Sequence, residues 1–312
     1  MNSLRIQTLL LILLLPLAPF TRALAAPDLG ESLDYTLRFR GIVTGFVELD
    51  IAKLSLSVGP AMEQIDGKPV YPTRMRLTTE PYKKAELIYP VRLDYRCWLD
   101  QGSLEPMLAA KLLRTDKQKR ELFWYDRAAS QGYHYQFPHK QKKKQKPDAS
   151  TGGPPPLTLL SQAVLSEEDW TELQENKRFE IGQPPVIDYM GMLHQLRWLP
   201  AESGQWFEFP IFTGKRQVTY RAKVERERLV RRGWDRDSLH LRLYEYNPKK
   251  NRLEDEVELW ISDDEQRLLL RFYAESKAGA LEGILETGRP QNGRNEGMSE
   301  ATRRSLEEYL DF

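Results

Sequence analysis

"LDYTLRF", residues 33–39, places Leu33, Tyr35, Leu37 and Phe39 on one side and Asp34, Thr36 and Arg38 on the other. A period of two is the mark of a strand with one face on a core and the other in water. After the glycine-containing turn "RGIVTG", residues 40–45, the segment "FVELDIAKLSLSV" resumes the alternation through Val47, Leu49 and Ile51. Similar segments follow at 73–80, 87–99, 107–114 and 120–126. A second set covers 206–213, 216–230, 239–247, 254–262, 266–276 and 280–287. The intervening turns are short and polar: "DQGS", "TDKQ", "DRAASQG", "RRGWDRDS", "NPKKNR" and "SDDEQ". Long runs joined by short turns predict an antiparallel meander rather than parallel crossover units. The expected fold is mainly β, a large curved antiparallel sheet or open barrel, with a few helices inserted mid-chain and a short C-terminal helix.

Helical signals cluster in the middle. In "SEEDW", Ser166 is placed as an N-cap with Asp169 three residues on. In "PPVIDYMGMLHQLRWLP", residues 184–200, the prolines forbid an earlier start, Asp188 caps, and Pro200 stops the helix. Tyr189, Met192, Leu193 and Leu196 fall at i, i+3, i+4 and i+7, an apolar stripe suited to covering the concave face of a sheet. Arg197 closes the helix, either capping its last carbonyls or pairing with a strand carboxylate. In "SEATRRSLEEYL", Ser299 caps a last short helix with Leu306, Tyr309 and Leu310 on its apolar side. Residues 139–156, "HKQKKKQKPDASTGGPPP", carry Lys140, Lys142, Lys143, Lys144 and Lys146 and read as a mobile loop. The expected organisation is a single β domain over 33–287 with that insertion, followed by a tail over 288–312.

The first 25 residues read as a cleaved signal peptide. Arg5 supplies the positive end, an apolar run follows from Leu9, and Ala23-Leu24-Ala25 forms the cleavage site. The expectation is an exported, periplasmic protein that does not span the membrane after cleavage. With no Cys near that site, a lipid anchor on an N-terminal Cys is not expected. Cys97 is the only cysteine, so an intramolecular disulfide is impossible even in an oxidising compartment. In "LDYRCWLD" it shares a face with Leu93 and Tyr95 and reads as a small buried apolar residue. The 46 basic and 45 acidic residues leave a net charge of +1, so no global field draws the chain to nucleic acid or anionic lipid.

Catalytic patterns are missing. The four histidines, His134, His139, His194 and His240, are scattered without a paired spacing, so no metal is expected. "DRDS" and "SDDE" lack the glycine and distal Glu of a calcium loop and read as hairpin turns. There is no nucleophile elbow, no phosphate-binding loop and no dinucleotide fingerprint. No cofactor is expected, and the chain reads as a non-enzyme. The lysine run offers salt-sensitive tethering to anionic lipid headgroups. The terminal Phe312 invites comparison with outer-membrane barrels, but "SLEEYLDF" does not alternate.

Several motifs together resemble the family known as domain-of-unknown-function 3108. "LDYTLRFRGIVTGFVELDI" is similar to its opening hairpin, with Tyr35, Gly41 and Gly45 in place. "DYMGMLHQLR" resembles its D-x-x-S-x-x-x-x-L-R element through Asp188, Leu196 and Arg197, with Gly191 where a Ser is often seen. "ELWISDDEQRLLLRF" resembles its W-x-S-x-D turn through Trp260, Ser262 and Asp264, without the usual Pro after it. "GALEGILE" is similar to its closing strand. The resemblance implies an exported antiparallel β protein with no assigned activity, cofactor or catalytic residue.

Two functions lead, ahead of a third, an undetected hydrolase, which would require an acid or nucleophile cluster in a real cleft. The first is a non-enzymatic periplasmic module that binds or carries an amphipathic envelope component, a lipid or lipid-linked glycan, beneath a lid formed by Tyr189, Met192, Leu193 and Leu196. The second is an envelope interaction module acting through edge strands and the lysine-rich loop. Whether the concave face is filled by side chains discriminates them.

Overall fold

The computed structural model describes residues 27–115, 118–136, 174–182, 185–199, 202–213, 216–231, 234–247, 252–277 and 279–286. The expected signal peptide, the 139–156 insertion with its five lysines, and the helices expected after Ser166 and at the C-terminus all lie outside the described residues.

Among the described residues, fifteen strands form a single antiparallel sheet. They are β1 (Ser32–Gly41), β2 (Leu49–Val58), β3 (Glu63–Ile65), β4 (Lys68–Thr78), β5 (Arg92–Asp100), β6 (Pro106–Arg114), β7 (Gln118–Asp126) and β8 (Gln131–Gln136). After them come β9 (Gln174–Glu180), β10 (Trp206–Phe212), β11 (Gln217–Arg231), β12 (Trp234–Asn247), β13 (Arg252–Ser262), β14 (Leu269–Ser276) and β15 (Gly279–Leu285). From β1 the chain steps outward through β2, β4 and onward to β9, with β3 as a side ribbon on β4. It then crosses to the opposite edge at β10 and steps back to β15, which pairs with β1 from Tyr35↔Leu285 to Gly41↔Gly279.

The two edges curl towards each other. Phe179 of β9 stacks on Phe212 at the end of β10 with ring centroids 3.8 Å apart. The segment between the edges runs parallel to β10, through Ile187 N–H to the Pro210 carbonyl at 2.9 Å and Phe212 N–H to the Ile187 carbonyl at 3.1 Å. That pairing satisfies backbone groups an open edge would leave bare. The result is an open sheet curved into a barrel-like form.

Alternation aims the core inward as expected in β1, where Leu33, Tyr35 and Leu37 are buried. In β2 the phase differs from the expectation. Ala52, Leu54, Leu56 and Val58 are buried, whereas Val47 is exposed and Leu49 and Ile51 are only half-buried. A bulge is the cause: Leu37 pairs with Ala52 but Arg38 with Asp50, so Ile51 is the extra residue and the side chains swap faces across it. The 87–99 strand also starts later than expected. Lys83–Ile88 form a short helix, α1, and β5 begins at Arg92. The polar strands β8 and β9 escaped the sequence pattern because "QENKRFE" offers almost no apolar alternation.

Candidate functional site

The crossing from β9 to β10 contains the second helix, α2 (Tyr189–Arg197). Asp188 is its N-cap, in extended backbone, and its Oδ1 accepts the Gly191 N–H at 2.7 Å. Nearly every helix side chain is enclosed. Met190 joins a cluster with Val58, Tyr71, Cys97, Leu104 and Phe123, while Met192 and Leu196 join a second one with Leu33, Tyr35 and Leu56. Of the expected stripe, Met192 and Leu196 are buried and Leu193 is half-buried. Tyr189 departs from it: 40% exposed, its ring packs edge-on against Tyr220. Met190 lies off the stripe yet is buried, because a helix laid inside a curved sheet meets protein on both sides.

At the start of the helix, Asp188 is itself buried. The Tyr95 hydroxyl donates to Oδ2 at 2.7 Å, and the Cys97 thiol lies beside the same carboxyl. Burial raises the Asp188 pKa, and its neighbours Cys97, Gly191 and Tyr95 oppose the rise. Burial also pushes the Cys97 thiol and the Tyr95 and Tyr125 phenols upward, which keeps all three protonated. A protonated thiol without access is a poor nucleophile.

At the other end, Arg197 is buried and makes four hydrogen bonds. Two run in parallel to Glu31, at 2.6 and 2.7 Å. The others reach the Arg267 carbonyl at 2.7 Å and the Gln266 carbonyl at 3.1 Å, in the turn joining β13 to β14. Arg197 thus pairs with a carboxylate, as one of its two expected roles has it, but Glu31 lies just before β1 rather than on a strand. Ser262 and Asp264 shape the turn that receives it. The Ser262 hydroxyl donates to Asp264 at 2.7 Å and accepts the Leu268 N–H at 2.8 Å. Asp264 Oδ1 also accepts the N–H groups of Gln266 and Arg267. The two motifs, far apart in sequence, therefore form one joint. Tyr35 braces it by donating to the Leu269 carbonyl at 2.8 Å.

Trp260 faces away from this joint. Its ring stacks on His240 at 4.4 Å, the Arg271 guanidinium lies 4.0 Å from its centroid, and its N–H donates to Glu227. Arg271 and Arg231 both reach Glu282, at 2.6 and 2.8 Å, so the long β11–β12 hairpin is tied down across β14 and β15.

Beneath the helix, Glu31, Leu33, Leu56, Ser57, Met190, His194 and Arg197 line a void of about 10 Å³, room for one water. His194 is buried there, and burial with the neighbouring Arg197 charge pushes its pKa down to about 3. Among the described residues no group of three or more His, Cys, Asp or Glu side chains could hold a metal ion. Among them no helix is long and apolar enough to cross a membrane.

A curved antiparallel sheet with one end sealed by a helix, itself pinned by a buried Asp and a buried Arg, defines the class of protein. Residues 34–286 match the family described as "Protein of unknown function (DUF3108)", and the chain belongs to that family. No curated protein matches the chain. Among solved structures, a β-barrel-like protein of domain of unknown function DUF1849 from Brucella abortus is 9% identical, with 83% of this chain and 96% of that one covered at a TM-score of 0.47. A "putative lipoprotein" from Parabacteroides distasonis is 8% identical, with 85% and 97% covered at a TM-score of 0.25.

Proposed function

We propose that this is a non-enzymatic, exported envelope protein that acts through its outer surface as an interaction module, rather than by carrying a ligand inside its sheet. One observation supports the choice. The void beneath the helix, lined by Glu31, His194 and Arg197, is about 10 Å³, far below the roughly 300 Å³ of a small-molecule pocket. A lipid or lipid-linked glycan would enter only if the helix left its seat, breaking the buried Arg197–Glu31 pair and uncovering Met190, Met192 and Leu196. The polar side chains near the void, Glu31, His194 and Arg197, belong to that seat. The buried thiol at Cys97 is held protonated beside Asp188, which supports a non-catalytic reading. The signal-like first 25 residues support periplasmic delivery.

Native mass spectrometry of the full mature chain, purified gently from its own periplasmic fraction, tests the reading. The expected spectrum shows the ligand-free mass of a chain cut after Ala25. A stoichiometric lipid or glycan adduct that survives purification would overturn it in favour of the carrier.

A further inference from the structure

The end of the sheet opposite the helix carries the β1–β2 and β4–β5 connections. In the first, Ile42, Phe46 and Val47 stand in solvent; in the second, Leu87, Ile88 and Tyr89 do. All six are between 58% and 87% exposed, an unusual density of large apolar side chains on two tips. The tips are neighbours, because β2 pairs with β4 and α1 packs against β2.

These side chains are held out by ordered backbone. In the first tip, residues 42–44 form a 3-10 turn, and the Gly41 N–H bonds to the Thr44 hydroxyl at 3.0 Å. Phe46 then sits at φ 62°, a left-handed conformation costly for a bulky residue, fixed by its N–H to the Gly41 carbonyl at 2.9 Å. That conformation presents the ring to water instead of folding it onto the sheet. In the second tip, α1 puts Leu87 and Ile88 beside Lys83 and Lys84.

Charge is sorted in the same places. Acidic side chains near the tips are occupied: Glu86 and Glu80 by Arg92, Glu48 and Asp50 by Arg38. The cations Arg40, Lys83 and Lys84 are exposed and have no acidic partner among the described residues. Separated apolar fingers ringed by free cations fit a soft, anionic, apolar-beneath surface better than a rigid protein face, which needs a contiguous packed patch.

We propose that these two tips form a docking surface for an anionic phospholipid bilayer, with Phe46, Leu87 and Ile88 entering the headgroup–acyl boundary and Arg40, Lys83 and Lys84 lying against lipid phosphates. The inference rests on the surface-acting reading above and specifies its partner. Docking is peripheral and reversible, and it points the helix-sealed end away from the membrane.

Flotation of the full mature chain with vesicles of phosphatidylethanolamine and phosphatidylglycerol tests it, with phosphatidylcholine vesicles as the neutral control. The expected result is binding to the anionic vesicles that falls as salt rises. The F46S/L87S/I88S triple variant should bind about tenfold more weakly or less. K83E/K84E should lose on the order of tenfold on anionic vesicles and little on neutral ones. Since all five side chains are exposed, both variants should melt with the parent, and a melting curve verifies that. Failure of the parent to float, or equal binding by a folded triple variant, overturns the proposal. Photo-crosslinking from position 88 in cells separates the two readings. Recovery of a protein partner without vesicle binding would overturn the bilayer and leave the surface-acting reading standing, whereas a retained internal lipid would overturn that reading itself.

Discussion

Arg197 is the residue on which the sealed end turns. Its guanidinium is buried, joined to Glu31 by two parallel bonds and to the β13–β14 turn by two more. Breaking such a pair from one side leaves an uncompensated buried charge, so Arg197→Ala should cost about 3–5 kcal/mol in urea unfolding. Replacing both partners with apolar residues, as in Arg197→Met with Glu31→Leu, should recover much of that loss. A single variant as stable as the parent would show that the pair carries no such weight. His194, one turn earlier, makes a pH prediction. Folded, it stays neutral down to about 3; unfolded, it titrates near its ordinary 6.5. Between those values the unfolded chain binds more protons, so this contribution is complete above pH 6.5 and is lost as pH falls towards 3. Stability measured across that window should fall less steeply in His194→Gln. Matching slopes would assign the acid sensitivity to other groups.

Among the elements, the central helix shows what sequence can and cannot deliver. Its start at Asp188, its end at Arg197 and the burial of Met192 and Leu196 were all legible, because cap chemistry and i, i+4 spacing are local. Its double-sided enclosure was not, since Met190 is buried by Leu104 and Cys97, which no local period connects to it. The same limit explains Glu31, a partner 166 residues away from Arg197. It explains β2 as well, where a single bulged residue reversed the face expected for Val47 and Ile51. Strand alternation located most strands with one apolar face but missed β3, β8 and β9, the last a polar sequence held by pairing with β8. Gly191 provides the test at this scale. A Cβ there would stand 3.2 Å from both the Leu104 carbonyl and Asp188 Oδ1, a tight but yielding fit. Helix propensity favours the change by about 0.5 kcal/mol or more, so Gly191→Ser should shift stability by no more than about 1 kcal/mol in either direction. A larger loss in thermal unfolding would mean that the helix approaches the β5–β6 turn too closely for any side chain.

For the molecule as a whole, the sequence conveyed an antiparallel sheet and located twelve of the fifteen described strands, missing β3, β8 and β9, but not the order in which the strands lie. That order depends on which distant segments meet, and β1 meets β15 across nearly the whole chain; the Glu286 N–H still reaches the Asp34 carbonyl at 2.8 Å. Apart from the β8–β9 step, which residues 137–173 connect, only one step in the sheet is long in sequence, and it joins the two ends of the domain. Cutting the chain elsewhere and splicing residue 286 to residue 31 through a short linker would make that step local. If the new ends are opened at 200–202, between the central helix and β10, the strands follow one another from β10 through β15 and β1 to β9 in unbroken succession. The natural chain is thus a rotated version of a plain up-and-down ribbon. Such a permutant should refold faster, since less loop entropy precedes its contacts, while its unfolding midpoint stays near that of the parent. Stopped-flow refolding decides it, and an unchanged rate would place the slow step somewhere other than that closure. If the chain is exported as proposed, the native arrangement has its own effect: β1 would emerge early and wait for β15, so the sheet could not complete itself until almost all of the protein had reached the far side.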